Sequence, residues 1–93
     1  MLRSFADDRT EDVWSRRRVA KFGADLQKAA YRKLLILDAA DTLRDCNTPP
    51  GNRLEKLSGD RTEQYSIRIN DQFRICFNWT DGGPENIEIT DYH

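Results

Sequence analysis

The chain has 93 residues, and its 15 basic and 16 acidic side chains leave a formal net charge of −1. No overall field therefore draws it to nucleic acid, and any polyanion site has to be a local cluster. A chain of this length makes one domain, residues 1–93, burying roughly 60 to 65% of its unfolded surface, which leaves no room for a second core.

Two cysteines, Cys46 and Cys76, are too few for a disulfide-stapled secreted scaffold. Nothing at the N-terminus resembles a signal peptide, and the longest apolar run, Leu34 to Leu37, is far short of a membrane span. The expectation is a cytoplasmic protein with free thiols and no membrane partner. Arginine outnumbers lysine, a bias that suits two-pronged contacts to phosphate or carboxylate.

Leu2 to Phe5 is short and partly apolar, and reads as a first strand pairing with the later sheet. Asp7 and Asp8 precede Thr10-Glu11-Asp12-Val13-Trp14, so capping side chains and an acidic first turn predict a short helix there. Arg16, Arg17, Arg18 and Lys21 follow as a basic patch, either a solvated helix end or a contact for phosphate or a partner. From Asp25 to Leu43, apolar residues Leu26, Ala30, Leu34, Leu37 and Ala40 recur at three and four residues, which predicts a helix lying on a sheet. Paired prolines in Asn47-Thr48-Pro49-Pro50-Gly51 stop it. Leu54-Glu55-Lys56-Leu57 suits a brief strand or an extended loop.

The remainder alternates with a period of two. Tyr65, Ile67 and Ile69 share one face, as do Phe73, Ile75, Phe77 and Trp79; Ser66, Arg68, Asn70, Arg74, Cys76 and Asn78 point the other way, onto a face expected to be wet. Asn70-Asp71-Gln72 and Asp81-Gly82-Gly83-Pro84 read as hairpin turns, and Asn86 to Thr90 as a last strand with Ile87 and Ile89 inward. The order of strand, two helices and a meander is α+β: a mostly antiparallel, curved sheet with two N-terminal helices packed on one face.

Arg68 and Arg74 on the wet face, with Arg53 and Arg61 flanking the preceding loop, make a seat for a phosphate. His93 is the only histidine, beside Asp91 and Tyr92. Cleavage of RNA by its own 2′-hydroxyl needs a base, a cation for the charge of the phosphorane, and an acid for the leaving oxygen. Glu55 or Asp91 is the candidate base, Arg68 and Arg74 the charge stabilisers, His93 the acid, and Tyr92 a group that stacks on or orients a base. By parity Asp91 and His93 fall in phase with the inward Ile87 and Ile89, so the strand must end or twist after Thr90 for the three to meet. Asp91, Glu88 and His93 do not complete a metal ligand set, and no cofactor is expected.

Pro49-Pro50-Gly51-Asn52-Arg53-Leu54-Glu55, the run Ser66 to Phe77 and the closing Asp91-Tyr92-His93 together resemble the HigB toxins of type II toxin–antitoxin systems, in the RelE superfamily, and most of all their GraT-like branch. The resemblance implies a compact RelE-like fold of the microbial-ribonuclease type that enters the A site of the 70S ribosome and cuts messenger RNA there. It implies as partner a HigA-type helix-turn-helix antitoxin, through which alone the pair would touch operator DNA. Asp91, Tyr92 and His93 match the family's catalytic tail and Arg74 its strand arginine. Where some HigB proteins carry a catalytic histidine between the two leucines, this chain has Glu55. The rival readings are a non-enzymatic, gyrase-inhibiting toxin of the ParE type and a decayed toxin that only binds its antitoxin as a corepressor.

Overall fold

A computed structural model describes residues 1–91. Helices α1 (Asp8–Trp14) and α2 (Ala24–Ala39) precede strands β1 (Glu55–Lys56), β2 (Gln64–Arg68), β3 (Phe73–Thr80) and β4 (Gly83–Asp91), which form one antiparallel sheet in the order β1-β2-β3-β4. Short 3-10 turns at Leu43–Asn47 and Pro50–Asn52 join α2 to β1, and a third, Gly59–Arg61, joins β1 to β2.

Helix α1 starts at Asp8, two residues before the expected Thr10, because the Asp7 carboxylate accepts the Thr10 N–H at 2.9 Å and caps the turn. Helix α2 begins after Gly23, as the sequence indicates, but stops at Ala39 rather than Leu43. Asp45 is the reason: its carboxylate accepts the N–H groups of Asp41 and Thr42, while the Thr42 hydroxyl accepts the Asp45 N–H. This reciprocal cap offers the backbone partners that a continuing helix would not, and starts a new turn instead.

The stripe Ala30, Leu34, Leu37 on α2 is fully buried against Ile67, Ile75, Phe77 and Ile87 of the sheet. Each large side chain so covered contributes roughly 1.5 to 3 kcal/mol, and together they fix which sheet face the helices take. The two sheet faces thereby acquire separate jobs.

The expected first strand is reduced to one parallel bridge, Phe5 to Ile87. Arg3 N–H donates to Pro84 O, Ile87 N–H to Ser4 O and Ala6 N–H to Ile87 O, so the segment does pair with the sheet. The ladder cannot lengthen because Asn86 sits at φ 53 beside a register shift in β4, and such a bulge misaligns the next donors. From α1, the buried Thr10 hydroxyl accepts the Ile89 N–H at 3.0 Å. β4 is also longer than expected, taking in Gly83 and Pro84; Gly83 lies at φ 119 with the Met1 carbonyl where a Cβ would project, a position only glycine fills without strain.

Candidate active site on the open sheet face

Strand register arranges the outward side chains in rows. Glu55, Ser66, Cys76 and Glu88 stand opposite one another across four strands, and Arg68, Arg74 and Thr90 form the next row. This face is not simply wet: Ser66 and Cys76 are fully buried, and the Arg74 side chain is only 11% exposed. Over Ser66 the cover is Arg74 itself, whose side chain lies along the face. Its Nε donates to Ser66 Oγ at 2.7 Å, and its Nη2 to the carbonyls of Arg53 at 2.7 Å and Ser66 at 3.3 Å. Glu55 Oε2 lies 3.9 Å from the same Nη2, with the Glu55 side chain 56% exposed, an open ion pair that contributes under about 1 kcal/mol. The carboxylate is therefore close to the cation without being neutralised in a buried pair.

Arg68 faces Arg74 across the β2–β3 pair and is bonded to the Asp71 carboxylate in the turn. Like charges opposite one another destabilise a sheet, and here they concentrate positive potential on one corner. Arg61 reaches the same face from the preceding turn, donating to Glu88 Oε1 at 3.1 Å and Gln64 Oε1 at 3.0 Å. Gln64 and Asn86 both donate to Asn78 Oδ1, which extends a polar ladder along the face. Burial pushes the Cys76 thiol up from its ordinary value, the Thr90 hydroxyl and Arg61 pulling weakly the other way. Cys76 is thus a packed thiol.

Arg53 contributes a carbonyl instead of its side chain. It occupies the left-handed region, φ 48 and ψ 60, at the end of the Pro50–Asn52 turn, which turns its C=O toward Arg74. The turn is anchored by Asn52, buried and bonded through its amide to the carbonyls of Cys46 and Thr48. Sequence reasoning named Arg53 and Arg74 but missed Ser66 and Asn52 as supports. Their signal was present: a serine in phase with Arg74 and an asparagine inside the Pro-Pro-Gly-Asn-Arg run.

Asp91 stays in register to the end of β4, opposite Phe73 and bonded to Gln72 Nε2 at 2.9 Å. The strand does not turn after Thr90, so Asp91 leaves on the side of the Phe73 row rather than the Arg74 row. Tyr92 and His93 lie outside the described residues, and with them the expectation that the tail closes over the arginines.

The basic patch after α1 is a separate surface. Arg16 and Arg18, with Lys28, Tyr31 and Arg32 of α2, line a concavity of about 420 Å³ together with Val13, Ala24 and Gln27. Arg16, at φ 64, lays its guanidinium over the Tyr31 ring, 4.6 Å from the centroid. Arg17 turns away to Asp12, and the exposed Lys21 is not among the lining residues. The four-residue patch thus splits, and α2 supplies two cations that linear reading did not associate with it.

No helix among the described residues is long and apolar enough to cross a membrane. The fold matches a chain of the YoeB-YefM complex from Staphylococcus aureus with a TM-score of 0.63, over 100% of this chain and 98% of that one, at 22% identity. In sequence, the chain is 48% identical over 59 residues to Toxin HigB-1 of Vibrio cholerae, a match spanning 63% of this chain and 62% of that toxin. It is 32% identical over 70 residues to an uncharacterized protein of Haemophilus influenzae, covering 75% of this chain and 69% of the other. Residues 3–93 match the model of the HigB-like toxins, described as the RelE-like toxin HigB of type II toxin–antitoxin systems. The sheet carrying Arg74, the helices behind it and this match over nearly the whole sequence agree, and the chain belongs to the HigB-like family of RelE-like toxins.

Proposed function

We propose that the protein is a ribosome-dependent endoribonuclease of the cytoplasm that cuts messenger RNA in the ribosomal A site and is neutralised by a HigA-type antitoxin. The observation that carries this reading is Arg74, a guanidinium held by three hydrogen bonds to Ser66 and Arg53 on the open face with Glu55 beside it. Family membership supports the toxin role and the antitoxin partner.

In this reading a bent ribose-phosphate lies over the Arg68 and Arg74 row. Glu55 takes the proton of the 2′-hydroxyl as that oxygen attacks phosphorus, since Asp91 leaves β4 on the Phe73 side of the sheet. Arg74 and Arg68 meet the charge gathering on the phosphorane oxygens, where fixed donors are worth far more than water because they need no reorganisation. His93 returns a proton to the departing 5′-oxygen and Tyr92 stacks on a neighbouring base, roles that rest on the resemblance of the closing Asp91-Tyr92-His93 to the family's tail. Arg53 and Arg61 extend the phosphate path on this face. Arg16 and Arg18, with Lys21 outside the concavity, are assigned to ribosomal RNA backbone on the helical side, and Arg17 joins them to the extent that Asp12 releases it. Holding message and enzyme on one ribosome supplies the positioning that a sparse set of catalytic groups needs, worth up to about 7 to 11 kcal/mol.

The test is to map messenger 5′ ends after a brief pulse of expression, alongside a plasmid supercoiling assay. New ends confined to translated frames support the proposal. Relaxed plasmid with intact messages would replace it with gyrase inhibition, and a chain that does neither is a corepressor.

A further inference from the structure

Lys33, on α2, has no place in the chemistry above. Its Nζ donates at 2.5 Å to Asn52 Oδ1, reaching a side chain with no exposed surface. Asn52 spends its amide protons at 3.1 Å and 3.3 Å on the carbonyls of Cys46 and Thr48, and its own N–H goes to Pro49 O at 2.9 Å. One residue, through its side chain and its backbone N–H, therefore ties three points of the segment between α2 and β1. The residue after it, Arg53, sits in the left-handed region, bonded from its N–H to Pro50 O, and its carbonyl takes Arg74 Nη2 at 2.7 Å. An unbroken line of hydrogen bonds and one peptide step thus runs from α2 to the guanidinium on the far side of the β1–β2 edge.

A non-glycine residue in the left-handed region persists only where its surroundings hold it, and here Asn52 holds the turn before Arg53 while Asn47 Oδ1 accepts the Leu54 N–H after it at 3.0 Å. The Asn52 oxygen is buried, so removing its donor leaves an acceptor that water cannot easily reach. Lys33 occupies this position against an electrostatic cost: partial burial and the nearby Arg68 both push its ammonium below the ordinary lysine value. A cation kept beside another cation marks a contact that the fold uses.

We propose that Lys33 is a positioning residue for Arg74: its bond to Asn52 locks the turn that aims the Arg53 carbonyl, and that carbonyl sets the direction of the guanidinium. The inference rests on the reading of Arg74 as the phosphate-facing cation, and deepens it by naming what fixes that cation in place.

The test compares the intact protein with Lys33→Met, which removes the donor, Lys33→Arg, which keeps one, and Val19→Ala, a core change on the helical side. Two quantities are read: hydrogen exchange of the Arg74 Nη protons, which include the donor to the Arg53 carbonyl, by side-chain NMR, and single-turnover cleavage of message on programmed ribosomes. Lys33→Met should speed Arg74 exchange about tenfold and lower the maximal cleavage rate about tenfold at unchanged ribosome affinity, since a small misplacement of a fixed donor costs this much or more. Lys33→Arg should restore both to within about twofold. Unchanged Arg74 exchange in Lys33→Met overturns the proposal, as does an equal rise in Val19→Ala, which would make the effect one of general stability. If Arg74 responds to Lys33 but the native protein cuts no message, the positioning stands and the ribonuclease reading falls.

Discussion

Two arginines that hold their backbones at positive φ, Arg53 at 48° and Arg16 at 64°, organise the two cationic surfaces of the molecule in opposite ways. At the open sheet face the backbone of Arg53 does the work: its carbonyl grips Arg74 while its own side chain is exposed. At the helical concavity the side chain of Arg16 does the work, lying over Tyr31 among Arg18, Lys28 and Arg32. The first surface is a rigid seat in which the key cation is almost covered; the second is an open, wet cluster whose cations keep their solvent. Rigid donors suit charge that develops at one atom, and open ones suit a diffuse polyanion.

The largest break in that contrast is expected from Arg74→Ala, which should lower cleavage about 10² to 10³-fold with ribosome affinity held, as for loss of a fixed oxyanion donor. Arg74→Lys should recover little of it, because an ammonium cannot serve Ser66 and the Arg53 carbonyl with one planar fork. Next comes the paired change Arg16→Glu and Arg32→Glu. It should weaken ribosome binding at least tenfold and flatten its salt dependence, leaving the maximal cleavage rate intact, because lost phosphate contacts cut affinity and salt slope together. Equal loss of rate in both experiments would erase the division between the surfaces.

A smaller and sharper test replaces each positive-φ arginine with glycine. Relief of the left-handed backbone is worth roughly 1 kcal/mol at either site, so both variants should melt slightly higher. Arg53→Gly keeps the carbonyl and should retain most cleavage, whereas Arg16→Gly removes the cation from Tyr31 and should weaken ribosome binding; the reverse assignment would overturn the comparison. The smallest effect concerns Cys46, whose thiol burial pushes up to about 11, with Asp45 adding to the rise. Below the ordinary thiol value its contribution to stability is complete. As pH climbs from 9 toward 11, the unfolded chain releases a proton that the folded one still binds, so stability falls. Cys46→Ala should make denaturant midpoints decline less steeply over that interval.

Much of the fold was legible in the order of residues because its determinants are local and periodic. Ala30, Leu34 and Leu37 announced a buried helical stripe, and the alternation from Tyr65 to Trp79 assigned two faces that the register confirms. What escaped was set by contacts between distant segments or by side chains competing for backbone. Asp45 ended α2 four residues early through its own cap, and Asn86 kept Leu2 to Phe5 from becoming a full strand. At the candidate site, Arg68 and Arg74 were visible as charges in phase, but the burial of Ser66 beneath a guanidinium was not, since periodicity predicts a face and not what lies across it. Lys33 looked like any lysine on a helix; only the approach of the Pro50–Asn52 turn gives it a role.

The bonds from Thr10 to Ile89 and from Ser4 to Asn86 join positions separated by 79 and 82 residues along the chain. While the protein is being made, α1 therefore emerges well before β4, the segment to which Thr10 must bond. Until β4 has cleared the exit tunnel the sheet is missing a strand, and the row containing Arg74 and Thr90 cannot assemble. An interrupted chain that stops short of Gly83 therefore carries both arginines of the row without the strand that completes it.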